Sequence, residues 1–291
     1  MRCCVGADPL TSLVWGVTGL AVGTSLNSVI WRLAPSDRPE DISEESDKQW
    51  FVRDSASCEK CGARLSIWQS TGLLALFARR LRCPQCGRPL VIARIVVELA
   101  CALIWMLSLR SFGATLNGAT AAFFLSVLLG IAIADFRSWI IPHEFTWSGI
   151  LIGLALSVER GITGLVGTLV GAFVGPAVFF AAAWFVKVYK RFRNVTVDGR
   201  PFSVGDALGG GDYWLISTIG VFVGWRMVPV AIVLSGVSGL LVALPREIWA
   251  KIRRQETPKT PFGVFLALGG AATLLVGDRL ISWYMAWVLG R

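Results

Sequence analysis

Charge is scarce in this chain: 16% of its 291 residues are Asp, Glu, Lys or Arg, against about 25% in an ordinary soluble domain. Histidine is scarcer still, His143 being the only one. No G-x-S-x-G occurs. Ser–His and Cys–His nucleophilic catalysis are therefore poorly supported. No internal repeat is visible, which argues against the repeated halves of many transporters. The missing charge is also unevenly distributed. Charge-free runs lie at 9–31, 112–134, 161–186, 227–245 and 260–277, with shorter or interrupted ones at 90–109, 145–158 and 213–225. A bilayer core takes roughly 18–20 apolar residues to cross. An aqueous core needs no such set of runs, so a soluble fold is excluded.

The reading is an all-α membrane protein, a polytopic bundle of about eight transmembrane helices. It divides into an N-terminal helix at 1–31, a loop at 32–89 and a helix bundle at 90–291. The first run is longer than a signal-peptide core and is expected to be retained, with the N-terminus outside. The net charge of +9 does not point to nucleic acid. If the segments alternate, loops 32–89, 187–206 and 245–259 share one side and hold most of the 28 Lys and Arg residues. Loop Lys and Arg mark the cytoplasmic face. Trp31, Trp139, Trp225 and Trp283 fall at expected helix ends, as an interfacial belt requires. The tail 278–291 either lies at the interface or extends the last helix.

The first loop carries Cys58-Glu59-Lys60-Cys61 and, 21 residues later, Cys83-Pro84-Gln85-Cys86, each pair followed by glycine. Two C-x-x-C knuckles form a tetrahedral thiolate site suited to zinc. Disulfides would need an oxidising compartment, and a redox C-x-x-C normally occurs once. Four thiolates leave no open coordination position, so the metal is structural. Cys101 is expected to pack within a helix; Cys3 and Cys4 are expected to be free thiols.

Acids within or beside membrane helices are costly and mark function by default. Glu98, Asp135, Asp206 and Asp212 qualify. In the alternating topology Asp135 ends helix three and Asp212 begins helix six, both at the cytoplasmic boundary. Facing aspartates share a proton, so that one activates water while the other polarises an amide carbonyl. Gly209, Gly210 and Gly211 would let a substrate backbone come close to Asp212. The alternative is an N-cap before helix six. Glu98 either orients the first loop or pairs with Arg94 four residues earlier.

These residues carry a resemblance. The chain resembles a type IV prepilin peptidase, one of the GxGD intramembrane aspartic proteases. G-x-G-D matches Gly209-Gly210-Gly211-Asp212, and the family's first aspartate, seven residues before the proline of an "IP" pair, matches Asp135 with Ile141-Pro142. "GTSLNSVIWRLAP", the double C-x-x-C, "ARIVVELACAL", "GVFVGWRMVPVAIVLSGVSGLLVAL" and "TPFGVFLALGG" resemble further family segments. The resemblance implies a multi-pass protein of the bacterial inner membrane with cytoplasmic main loops. It also implies cleavage of type IV prepilins or type II secretion pseudopilins on the cytoplasmic side, after a glycine that closes a basic leader. N-methylation of the new N-terminus from S-adenosylmethionine often follows in such enzymes. Asp135 and Asp212 would be the catalytic pair. The chain departs from the pattern at His143, where the family usually has Asp, and at Trp214, where Lys is common. Trp31 stands where members often carry His, Asp206 is displaced from the usual acidic position, and "QSTGLLA" replaces a "DNIPLLS"-like stretch. These departures bear on methylation and substrate range. Two other readings stay open: a proton-coupled transporter using both aspartates, and an inactive pilin-binding assembly factor.

Overall fold

The computed structural model describes residues 8–33, 58, 60–61, 63, 72–77, 81–87, 89, 92–193, 196–197, 200–201, 209–253 and 261–290. Asp206, Cys3, Cys4 and most of loop 32–89 lie outside the described residues. The described elements are helices α1 (Pro9–Leu33), α2 (Gly72–Phe77), α3 (Ile92–Phe112), α4 (Leu116–Ser138), α5 (His143–Ser157), α6 (Gly161–Phe192), α7 (Gly210–Val223), α8 (Val228–Arg253) and α9 (Phe262–Leu289). A two-residue antiparallel ladder, Thr196–Val197 with Arg200–Pro201, lies between α6 and α7. The helices fall into two compact units, Met1–Ile140 and Ile141–Arg291.

Among the described residues, six helices are long and apolar enough to cross a membrane: α1, α3, α4, α6, α8 and α9. The count of about eight is thereby refined to six long helices and two shorter ones. The shorter two, α5 and α7, have 15 and 14 residues, about 22 and 21 Å at 1.5 Å per residue, less than the ~30 Å hydrocarbon core. The tail continues α9 to Leu289, which settles its placement as an extension of the last helix.

In the first unit α1 runs along α3. Glycine makes the approach possible: a Cβ on Gly19 or Gly23 would stand 2.7 Å from the Cα of Ala102 or Glu98. Small residues let helices meet backbone to backbone where lipid supplies no hydrophobic drive. In the second unit α7 is the inner helix. Leu215, Ile216 and Ile219 are fully buried, and α7 packs against α5, α6, α8 and α9. Its buried Ser217 and Thr218 hydroxyls are satisfied by neighbours, whereas the Tyr213 hydroxyl is buried without a hydrogen-bond partner among the described residues. Ser217 Oγ donates to the Ala172 carbonyl at 2.8 Å and Thr218 Oγ1 to the Thr146 carbonyl at 3.2 Å. Gly220 faces Gly171 so closely that a Cβ on either would fall on the other's carbonyl oxygen. A helix largely enclosed by protein meets little lipid, so it can be shorter than the bilayer.

Candidate active site

Asp135 lies in the last turn of α4 and is 5% exposed; Asp212 lies in the first turn of α7 and is 7% exposed. They belong to different units, and each is held by its own surroundings. α4 stops just after Asp135 because Trp139 turns left-handed at φ 59°, its N–H donating to the Asp135 carbonyl at 2.9 Å. Trp139 is the only non-glycine residue at positive φ among those described. A bulky residue there is unusual.

Asp212 is the third residue of α7, with Gly209 as N-cap in extended conformation. Its Oδ2 accepts from the Gly209 N–H at 3.1 Å, while its own N–H donates to the Gly209 carbonyl at 3.1 Å. The carboxyl thus satisfies a helix-start donor and faces the positive end of the helix dipole. None of the three glycines takes a positive φ; what separates them is space. A Cβ on Gly210 meets nothing within 4 Å, whereas one on Gly211 would stand 2.8 Å from the Ile141 side chain. Gly211 is therefore constrained, Gly210 is open, and a Cβ on Gly209 would meet only the Asp212 carboxylate at an ordinary 3.4 Å. Gly210→Ala is expected to stabilise the protein slightly, by up to about 1 kcal/mol, through restricted unfolded backbone. Gly211→Ala is expected to cost about 1–3 kcal/mol through overpacking. Thermal melts in detergent separate the two.

The sulfurs of Cys58, Cys61, Cys83 and Cys86 lie within 4.8 Å of one another, with Cys58–Cys86 and Cys61–Cys83 each at 3.6 Å. All four are free thiols. A tetrahedral Zn–S bond of about 2.3 Å requires sulfurs about 3.8 Å apart, so the cradle fits a metal ion. The thiols differ in acidity. Backbone N–H groups of Cys86 and Gln85 hold Cys83 down to about 6. The Ala63 N–H favours the Cys61 thiolate too, but desolvation and hydrogen bonding to the other three sulfurs push it up to about 12. Four thiolates together need a cation.

Glu98 is 1% exposed. Oε1 accepts from the Gly72 N–H at 2.8 Å and Oε2 from the Leu73 N–H at 2.7 Å. Asn27 Nδ2 and Thr24 Oγ1 add to Oε1 at 3.3 and 3.2 Å. Of the two roles open to it, the carboxyl fills that of orienting the first loop. Two further groupings left no trace in sequence patterning. Trp31 is stacked by Arg94 and Arg137, guanidinium carbons 5.2 and 3.7 Å from the ring centroid. His143 meets Trp214 edge-on at 6.3 Å, and Trp214 lies 4.6 Å from Trp147.

Apolar crossing helices and a four-thiol cradle that fits a metal ion define a polytopic membrane protein, and two buried aspartates stand at helix ends. The pattern of the "Type IV leader peptidase family" matches residues 122–244, a span holding both Asp135 and Asp212. That of the "Bacterial Peptidase A24 N-terminal domain" matches residues 17–112, which hold the four cysteines and Glu98. The chain belongs to the type IV leader peptidase family. Relatives named "Prepilin leader peptidase/N-methyltransferase" include one from Myxococcus xanthus (strain DK1622), 31% identical over 81% of this chain and 63% of the relative. One from Burkholderia pseudomallei (strain 1026b) is 29% identical over 90% and 84%. One from Legionella pneumophila is 26% identical over 94% of each chain. The chain thus spans less than two thirds of the Myxococcus relative and most of the other two. No solved structure matches.

Proposed function

We propose that this chain is a prepilin leader peptidase in which Asp135 and Asp212 are the catalytic pair. The observation that carries the reading is their burial at helix ends inside the segment that matches the peptidase family. Buried carboxyls in a membrane helix are costly unless used. The mechanism needs the two carboxyls face to face around one proton. The ionised member takes a proton from water as the water oxygen bonds to the amide carbon. The protonated member hydrogen-bonds the carbonyl oxygen as it gains charge. Collapse of the tetrahedral intermediate breaks the C–N bond, and the leaving amine takes up a proton.

The substrate is a type IV prepilin or type II secretion pseudopilin, cut between a basic leader and an apolar helix. The clustering of Lys and Arg in loops 32–89, 187–206 and 245–259 supports a cytoplasmic site in a bacterial inner membrane. Gly209, Gly210 and Gly211 border the substrate. The relatives' names add N-methylation of the new N-terminus; S-adenosylmethionine would be the methyl donor, and no residue here is assigned to it. Co-expression with a prepilin whose leader ends in glycine tests the reading. Mass spectrometry of the pilin N-terminus is expected to show leader loss, with or without a methyl group. An intact leader in the presence of membrane-inserted protein refutes it.

The four-cysteine cradle holds zinc as a structural ion. Metal analysis of purified protein is expected to give one zinc per chain. Cys58→Ser is expected to lower occupancy and open the loop to protease. Full occupancy in that variant would count against the assignment.

A further inference from the structure

Two departures from the family pattern, His143 and Trp214, are 71 positions apart in sequence yet meet edge-on in space, and Trp147 completes their contact. His143 and Trp147 are four residues apart on α5 and so share a helix face. Trp214 comes to that face from α7, two residues after Asp212. Trp147 and Trp214 remain 46% and 36% exposed, and His143 and Glu144 are exposed as well. The indoles cover part of each other and leave their outer faces open.

Indole faces are the strongest side-chain partners for cations. Elsewhere this chain supplies its own: Trp31 carries Arg94 and Arg137, Trp225 carries Arg226, and Trp249 carries Arg253. Among the described residues no guanidinium lies over Trp147 or Trp214. Helix starts are partially positive, which works against a cation; Glu144 in the first turn of α5 and Asp212 in the first turn of α7 offset this. In a chain of net charge +9, a basic peptide meets general repulsion and gains from a local surface that attracts it.

We propose that His143, Trp147 and Trp214 form an aromatic subsite that holds a cationic side chain of the peptide substrate, on the leader side of the bond that is cut. The inference rests on the peptidase reading above and adds a specificity determinant to it. Trp214 lies two residues beyond Asp212 on α7, about 3 Å further along the helix axis though on another face, so the residue it holds is a short stretch of chain from the scissile bond. An extended chain advances about 3.3–3.6 Å per residue, which places that residue within a few positions of the cut.

The test measures cleavage kinetics on two precursors, one with a basic leader and one with its Lys and Arg changed to Gln. The enzymes are the parent protein, Trp214→Phe, Trp214→Leu and Trp147→Leu. With the basic leader, KM is expected to rise about tenfold for Trp214→Leu and less for Trp214→Phe, because attraction follows ring electron density. With the Gln leader the variants are expected to converge on the parent KM. Equal KM changes for both leaders, or equal behaviour of Phe and Leu, overturn the subsite. A parent protein that cuts neither precursor overturns the peptidase reading itself, a separate and recognisable outcome.

Discussion

Asp212→Asn is expected to leave the protein folded in the membrane and to abolish leader cleavage, and Asp135→Asn to do the same. Asparagine keeps the shape of the side chain and an oxygen that can accept from the Gly209 N–H, now made at 3.1 Å. The start of α7 therefore stays capped. What disappears is a group that exchanges a proton during attack, a contribution of about 10²–10⁴ in rate for each acid or base. Alanine is a poorer probe, because Asp212→Ala also uncaps the helix at about 1 kcal/mol. In the proposed mechanism the two residues act as one unit, so Asp135→Asn with Asp212→Asn is expected to be no slower than either alone. Cleavage of a co-expressed precursor and a melting curve in detergent give activity and folding side by side. Parental cleavage by either single variant would remove the pair from the mechanism. A lowered melting point in step with lost cleavage would assign the aspartates to structure alone.

The features legible in the sequence are those written within one short stretch. Charge-free runs announce helices because lipid tolerates little else, and the paired C-x-x-C announces its cradle because the turn that aims two sulfurs is local. The acids stood out for the same reason: Asp135 and Asp212 interrupt or border apolar runs. Contacts between distant stretches were not legible. Nothing in "GGGDYWL" or "IIPHEFTW" says that Trp214 lies on Trp147 and His143. The run at 213–225 looked like an abbreviated span; enclosure of α7 by its neighbours explains why it can be short. Gly209 to Gly211 suggested backbone freedom, yet the helix begins at Gly210 with ordinary angles, and Gly211 is distinguished by its contact with Ile141. Asn27 and Thr24, one turn apart in an apolar run, were a usable sign that α1 meets a polar partner. Their partner, Glu98, lies about seventy residues away.

Glu98→Ala is expected to loosen the segment 72–77 and lower the stability of the first unit by about 3–5 kcal/mol. The side chain accepts from two backbone N–H groups, the Asn27 amide and the Thr24 hydroxyl, and each buried donor left unmet costs about 1–3 kcal/mol. Total stabilities are only about 5–15 kcal/mol, so the loss is large. Glu98→Gln is expected to fall between. Its carboxamide keeps one acceptor but turns an N–H₂ toward a backbone N–H that needs an oxygen. Position makes the effect more than local: α2 lies between Cys61 and Cys83 in sequence, so the cysteines fix the ends of the span and Glu98 grips its middle. Gly72 is part of that grip, since a Cβ there would stand 2.6 Å from the Ile95 nitrogen. The two fastenings are separable, because the four thiols sit on turns that do not involve Glu98. With zinc in the cradle as proposed, Glu98→Ala is expected to retain the metal while α2 becomes open to protease. Loss of metal together with the segment would mean that the cradle depends on the Glu98 contact. Unchanged protection and melting would mean that the buried carboxyl does not hold the loop.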